Sequence, residues 1–270
     1  LTLERVAELN PGGHGGKFMV DGDRVLGLQI GGEARAYPLH LLQWYELVQD
    51  TVGGVPLLIC YSPLVDSVAV YRRPLGANGQ PLDFASSGLV YQSEQLAFDR
   101  AGESLWSPLL GRALSGAHSG RELERMPHSL VSWGRWKQAH PDTVLLARDE
   151  AVRKRRKRNP YGSYYGSDIL RFPVEPLPED RHGRLKQRVT VLSKAGERAV
   201  VLHARVDERG CVELGGEQLE LVKDAGADTL EVVAGAVDWQ AQAFWFAWFA
   251  THPGDRVLEP GELSCDPIDG

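Results

Sequence analysis

The amino-acid sequence predicts an α+β protein, β-rich and two-lobed, built of antiparallel strands with short Trp-rich helices. Three observations carry that reading. Apolar stretches of strand length are punctuated by many turn formers, Gly 30 and Pro 16. Two short Trp-containing stretches have helical spacing. A pattern that opens and closes the first half also returns in the second.

The opening LNPGGHGGKF, with His14 among its glycines, reads as a loop. Arg24 to Tyr37, RVLGLQIGGEARAY, reads as a hairpin in which Gly31 and Gly32 supply the positive φ angles of a tight turn. Pro38 then opens a short amphipathic helix through Leu39, Leu42 and Leu47, which carries Tyr45 and Glu46. The stretch from Val55 to Arg72, VPLLICYSPLVDSVAVYR, organises the rest. A continuous apolar run, a Ser-Pro break and a second β-rich run describe two buried strands meeting at a corner, with Ser62 and Asp66 at the turn.

SSGLVYQSEQLAFDR (Ser86 to Arg100) and ESLWSPLLGRALSG (Glu103 to Gly116) read as further antiparallel strands between Gly, Ser and Asp turns. In SLVSWGRWKQAHPDTVLLA the period changes. Trp133, Trp136 and His140 share one helical face, Pro141 stops the helix, and TVLL returns as strand. From Asp149 to Lys186 the pattern fails: a basic run, Arg153 to Arg158, precedes tyrosines and glycines and then FPVEPLPED with its three prolines, as in a linker or surface arm.

RVLGLQIGGE from Arg24 aligns without a gap with RVTVLSKAGE from Arg188. VSWGRWKQAHPDTVLL from Val131 likewise matches AFWFAWFATHPGDRVL from Ala243 through Trp-x-x-Trp-x-x-x-His-Pro and a closing Leu. We therefore expect a partial internal duplication, with a first lobe over 1–148, a basic, Tyr- and Pro-rich arm over 149–186 and a shorter second lobe over 187–270. The second copy has no room for the corner, SGLVY and SLWSP segments, so any site is expected in the first. The shared Trp/His element reads as packing, with the histidine capping the helix end or bonding a backbone carbonyl.

A net charge of -6 argues against a nucleic-acid protein of the usual basic kind. Arg153 to Arg158 is the one run suited to an anionic surface, and in an acidic chain it reads first as a solvated connector. No apolar segment reaches the ~18 residues of a membrane span. The start at Leu1 points to a trimmed chain, a removed signal peptide being one source. Cys60, Cys211 and Cys265 are odd in number and widely spaced, so neither a disulfide framework nor a zinc site is implied. Cys60, inside an apolar run, reads as a buried thiol.

Candidate chemistry gathers at the corner. Tyr45, Glu46, Ser62 and Asp66 are the catalytic candidates, and Ser87, Trp106 and Ser107 the ligand-binding ones. A serine nucleophile needs a base and an oxyanion hole, and no G-x-S-x-G elbow is present. Glu46 with Asp66 or Asp50 has the residue types of an acid/base carboxylate pair. The eight histidines are scattered and the corner offers only hard oxygen donors, so no metal and no cofactor is expected.

These segments together, from about Phe18 to Leu258, with YSPL, SSGLVY, ESLWSPLLGRALSG, PYGSYYG and the W-x-x-W-x-x-x-HP pairs, resemble the bacterial family catalogued as domain of unknown function 3179. The resemblance implies an exported or envelope-associated protein, with a cytoplasmic one as the alternative. It also implies Trp-His-Glu where this chain has Trp44-Tyr45-Glu46, Tyr-Cys-Pro-Leu-Cys where it has Tyr61-Ser62-Pro63-Leu64-Val65, and Ser-Leu-Trp-Ser-Gln where it ends in Pro108. A Cys-x-x-Cys beside a histidine suits a soft metal such as Cu(I), or a redox dithiol. This chain lacks all three groups. The expectation is a binding or accessory protein with a small-molecule or protein partner, its family centre lost. The alternatives are an enzyme using oxygen-based hydrolysis or transfer chemistry at the same cleft, and a structural envelope protein contacting its partner through Arg153 to Arg158.

Overall fold

The computed structural model describes residues 2–5, 19–147, 160–179 and 182–265. His14 and the Arg153 to Arg158 run lie outside the described residues. The chain runs β1 (Thr2–Arg5), β2 (Arg24–Ile30), β3 (Glu33–Pro38), helix α1 (Leu39–Tyr45), β4 (Leu47–Val52), β5 (Val55–Ser62) and β6 (Ser67–Arg72). Then come β7 (Phe84–Tyr91), β8 (Glu94–Asp99), β9 (Ser104–Ser107), β10 (Arg112–Ala113), β11 (Ser129–Ser132), α2 (Trp133–Ala139) and β12 (Val144–Ala147). The remainder is α3 (Gly162–Tyr165), β13 (Arg188–Lys194), β14 (Glu197–Leu202), β15 (Arg209–Leu214), β16 (Glu217–Asp224), β17 (Thr229–Ala234), β18 (Trp239–Phe244), α4 (Trp245–Thr251) and β19 (Arg256–Val257). The protein is β-rich, mostly antiparallel, with short helices, as the sequence predicts.

β5 and β6 form the antiparallel pair at the centre, in register from Leu57 opposite Arg72 to Ser62 opposite Ser67. They lie in a seven-stranded sheet of order β19-β14-β13-β18-β6-β5-β4. Their continuous apolar runs follow from burial on both faces. Alternation sends Leu57, Ile59 and Tyr61 into a core shared with Leu26, Leu28 and Leu130 of the five-stranded sheet β1-β12-β3-β2-β11. Leu58 and Cys60 face the other way, against Phe84, Ala97 and Trp106 of the four-stranded sheet β10-β9-β8-β7. Strands from the first and last thirds of the chain share the seven-stranded sheet, joined where Gln242 of β18 pairs with Val68 of β6.

Two four-strand groups have the same wiring. In β12-β3-β2-β11 and in β19-β14-β13-β18, an antiparallel hairpin is flanked by one parallel and one antiparallel strand. Each antiparallel flank leads through a Trp-rich helix to the parallel one. In both helices the second tryptophan stacks on the histidine four residues later, at 4.0 Å between ring centroids for Trp136 and His140 and for Trp248 and His252. Both indole N–H groups donate to the residue seven positions on, Thr143 and Asp255. The element is packing, as expected, and the histidine caps the helix end, its backbone N–H on the carbonyl of the second tryptophan at 2.8 Å and its ring against the indole. Beneath Trp136 the sheet is bare, because a Cβ on Gly27 would sit 2.3 Å from the ring.

Two local expectations are corrected. Helix α1 stops at Tyr45, because Glu46 takes φ 60, and Leu47 begins a strand. Cys211 and Cys265 form a disulfide across 54 residues, a pairing that an odd, spread cysteine count had argued against. Cys60 is the buried free thiol that its apolar run predicts.

Candidate functional site

The site is built where α1 meets the end of β5. Glu46 leaves the helix in the left-handed region, its N–H donating to the Leu42 carbonyl at 2.8 Å. Its own carbonyl accepts from Tyr61 N–H at 2.7 Å, which pins the helix end to the β5–β6 turn. The Glu46 carboxylate accepts from the Ser86 hydroxyl at 3.2 Å and from the Gln95 amide. Gln95 in turn donates its backbone N–H to Ser62 Oγ at 3.3 Å, while the Ser62 hydroxyl faces the Gln95 side-chain oxygen at 3.4 Å. These four side chains, with Cys60 and Pro108, line a niche of about 10 Å3, the size of one water molecule. Burial raises the Glu46 carboxyl above its ordinary range, against the two hydrogen bonds that hold it ionised.

Asp66 lies elsewhere. At φ 46 and wholly buried, it takes both carboxylate oxygens to Arg24 Nη1 at 3.1 Å and one to Arg188 Nε at 2.6 Å. Tyr61 donates its hydroxyl to the same carboxylate at 2.8 Å and meets the Tyr165 hydroxyl at 3.1 Å. Burial alone would raise this carboxyl, but Arg24 and Arg188 outweigh it and hold it below the usual range. Arg188 continues to Asp228 at 2.5 Å. The group is an ion-pair network joining β2, the β5–β6 turn and β13, with its carboxylate fully occupied.

The other candidates are also engaged internally. Tyr45 is half-buried at the end of α1. The Ser87 hydroxyl donates to the Leu96 carbonyl at 2.7 Å. Trp106 is fully buried, its indole N–H on Asp99 at 2.7 Å. Ser107 donates at 2.6 Å to Glu94, a carboxyl that burial pushes up to about 7. Of the residues singled out in the sequence, Glu46 and Ser62 share the niche. Gln95, Ser86 and Cys60 complete it; Cys60 is legible in the sequence only as a buried thiol, and no local signal sets Gln95 or Ser86 apart.

Residues 7–241 match the profile of a protein family described as "Protein of unknown function (DUF3179)". The chain belongs to this family. No curated protein and no solved structure matches it. The positions where the resemblance places the DUF3179 thiols and histidine do not form a donor set here. Ser62 faces the niche, whereas Val65 is wholly buried in the core around Val189, Phe244 and Trp245. Val65 offers no donor atom, and among the described residues no group of three or more His, Cys, Asp or Glu is placed to hold a metal ion. A soft metal does not fit these residues. The DUF3179 tyrosine segment PYGSYYG lies against the same turn, with Tyr164 donating its hydroxyl to the Leu64 carbonyl at 2.8 Å.

Proposed function

We propose that this chain is a binding or accessory protein whose family thiol or metal centre has been lost. The observation that supports it is the closed state of the turn. Ser62 is engaged with Gln95, Val65 is sealed in the core, and the space beside Glu46 holds no more than a water. Ligand sites generally need a few hundred Å3. The test is metal and ligand binding by the purified protein. Native protein is expected to retain no stoichiometric copper or zinc, and to take up a screened partner whose binding weakens when Gln95 is changed to Leu. One soft metal ion retained per chain would sink the proposal.

A second reading is favoured by the raised Glu46 carboxyl, which has the environment of an acid/base group, with Ser62 as its polar partner. If a hydrolase or transferase activity is found and Glu46→Gln abolishes it while leaving folding intact, the enzymatic reading replaces the first.

Two finer readings accompany the proposal. Export is supported by the Cys211–Cys265 disulfide, since disulfides persist in oxidising compartments. Recovery of both cysteines as free thiols from native cells would count against it. Partial internal duplication is supported by the shared wiring and the paired Trp/His stacks. It would fail if the matched positions in other family members showed no correspondence between halves.

A further inference from the structure

The segment from Pro160 to Ile169 crosses the Ser62–Asp66 turn as a strap, and its backbone is held through one cation. Lys186 Nζ donates to the carbonyls of Tyr164, Ser167 and Ile169 at 2.8, 2.6 and 2.7 Å, and lies 3.4 Å from the centroid of the Tyr164 ring. Beyond this the strap rests Tyr164, Tyr161 and Tyr165 against the core around Phe244 and Trp245, with the Tyr164 hydroxyl on the Leu64 carbonyl, the Tyr165 hydroxyl on Tyr61 and a surface pair between Arg184 and Asp168. Its helix, Gly162–Tyr165, is four residues long, far below the length at which a helix holds itself together. Tyr164 is buried, but Gly162, Ser163, Gly166, Asp168 and Ile169 are exposed.

The sheet beneath is built differently. β5 and β6 carry a full antiparallel ladder and are buried on both faces. Three tyrosine rings set on the core and a backbone held through one ammonium, with no ladder bonds to β5 or β6, make a local arrangement that opens at lower free energy than such a ladder. Under the strap lie the Tyr61 hydroxyl and the Leu64 carbonyl.

We propose that Pro160 to Ile169 is a displaceable cover on the turn, latched by Lys186, that lifts as a unit while β5 and β6 stay folded. Lifting releases the Leu64 carbonyl and the side of the Tyr61 hydroxyl that faces Tyr165, its bond to Asp66 being kept, and gives a partner access to a region closed in the latched state. The inference rests on the turn being the binding region for its purpose. The opening itself stands or falls independently of what binds there.

Amide hydrogen exchange followed by mass spectrometry tests it on the whole chain. The reporting amides are Tyr165, Gly166 and Ser167, which donate within the strap, against the β5–β6 ladder. In the native protein the strap peptide is expected to exchange well before the β5–β6 peptides. Lys186→Met, which removes three charge-assisted bonds, is expected to speed strap exchange by about ten- to hundredfold with the ladder unchanged. Tyr165→Phe, which removes one hydroxyl, gives a smaller acceleration in the same peptide. The proposal is overturned if strap and ladder exchange together in the native protein, a result that needs no variant to fold. It is equally overturned if Lys186→Met folds and leaves strap exchange unaltered.

Discussion

Arg188 at the start of β13 reaches the wholly buried Asp66 carboxylate of the β5–β6 turn at 2.6 Å. Arg24 at the start of β2 approaches the same group at 3.1 Å. The two arginines open the two hairpins of matching wiring, so one carboxylate ties both to a single point. Asp66→Ala leaves Arg24 without its carboxylate and Arg188 with Asp228 alone, and is expected to cost about 3 kcal/mol, read by urea unfolding. A loss below about 1 kcal/mol would show that the network contributes little.

The same carboxylate sets an acid limit. Its folded pKa lies below the ordinary value of about 3.9. Its stabilising contribution is therefore complete above that value and is lost as the pH falls towards the depressed one. Asp66→Asn is expected to be less stable than the native protein at pH 6 and to lose less on going from pH 5 to pH 3. Parallel pH profiles would assign the acid limb to other groups.

Glu94 works in the opposite direction. Burial pushes it up to about 7, so between about pH 4.5 and 7 the folded chain holds a proton that the unfolded chain has released. Stability falls as pH rises through that window, by about 3 kcal/mol from this group if the whole shift is realised. Glu94→Gln, which stays neutral, is expected to flatten the slope between pH 5 and 8 in thermal melts. An unchanged slope would mean that Ser107 and the Leu109 N–H stabilise the ionised form after all.

The Cys211–Cys265 bridge closes a long loop, which in the chain-entropy account contributes about 4 kcal/mol. Thiol titration in denaturant is expected to find one reactive group, Cys60, before reduction and three after it. The Cys211→Ser/Cys265→Ser pair should lower the melting temperature. Three thiols in the unreduced protein would exclude the bridge.

Much of this architecture could be read locally. Gly31-Gly32 announced the first hairpin, and the Trp/His spacing announced both helices. The helix through Leu47 was overextended because a left-handed Glu46 leaves no mark of the kind a glycine would. What the sequence hid was long-range. Asp66 sat at the predicted turn, yet its partners lie 42 and 122 residues away, and nothing in the spacing distinguishes a turn carboxylate facing solvent from one closed between two arginines. Gln95 joins Glu46 only because β8 happens to run behind the helix end, 49 residues on in sequence.

Gly27 leaves room for the Trp136 ring directly against the strand. The aligned position in the other hairpin is Val191, fully buried in the core that also contains Trp248. The two hairpins therefore differ at this position, glycine against the Trp136 ring in one and a buried valine in the other. A side chain at 27 would collide with that ring, so common wiring does not make the two groups interchangeable: a residue accommodated at 191 gives no licence for the same residue at 27.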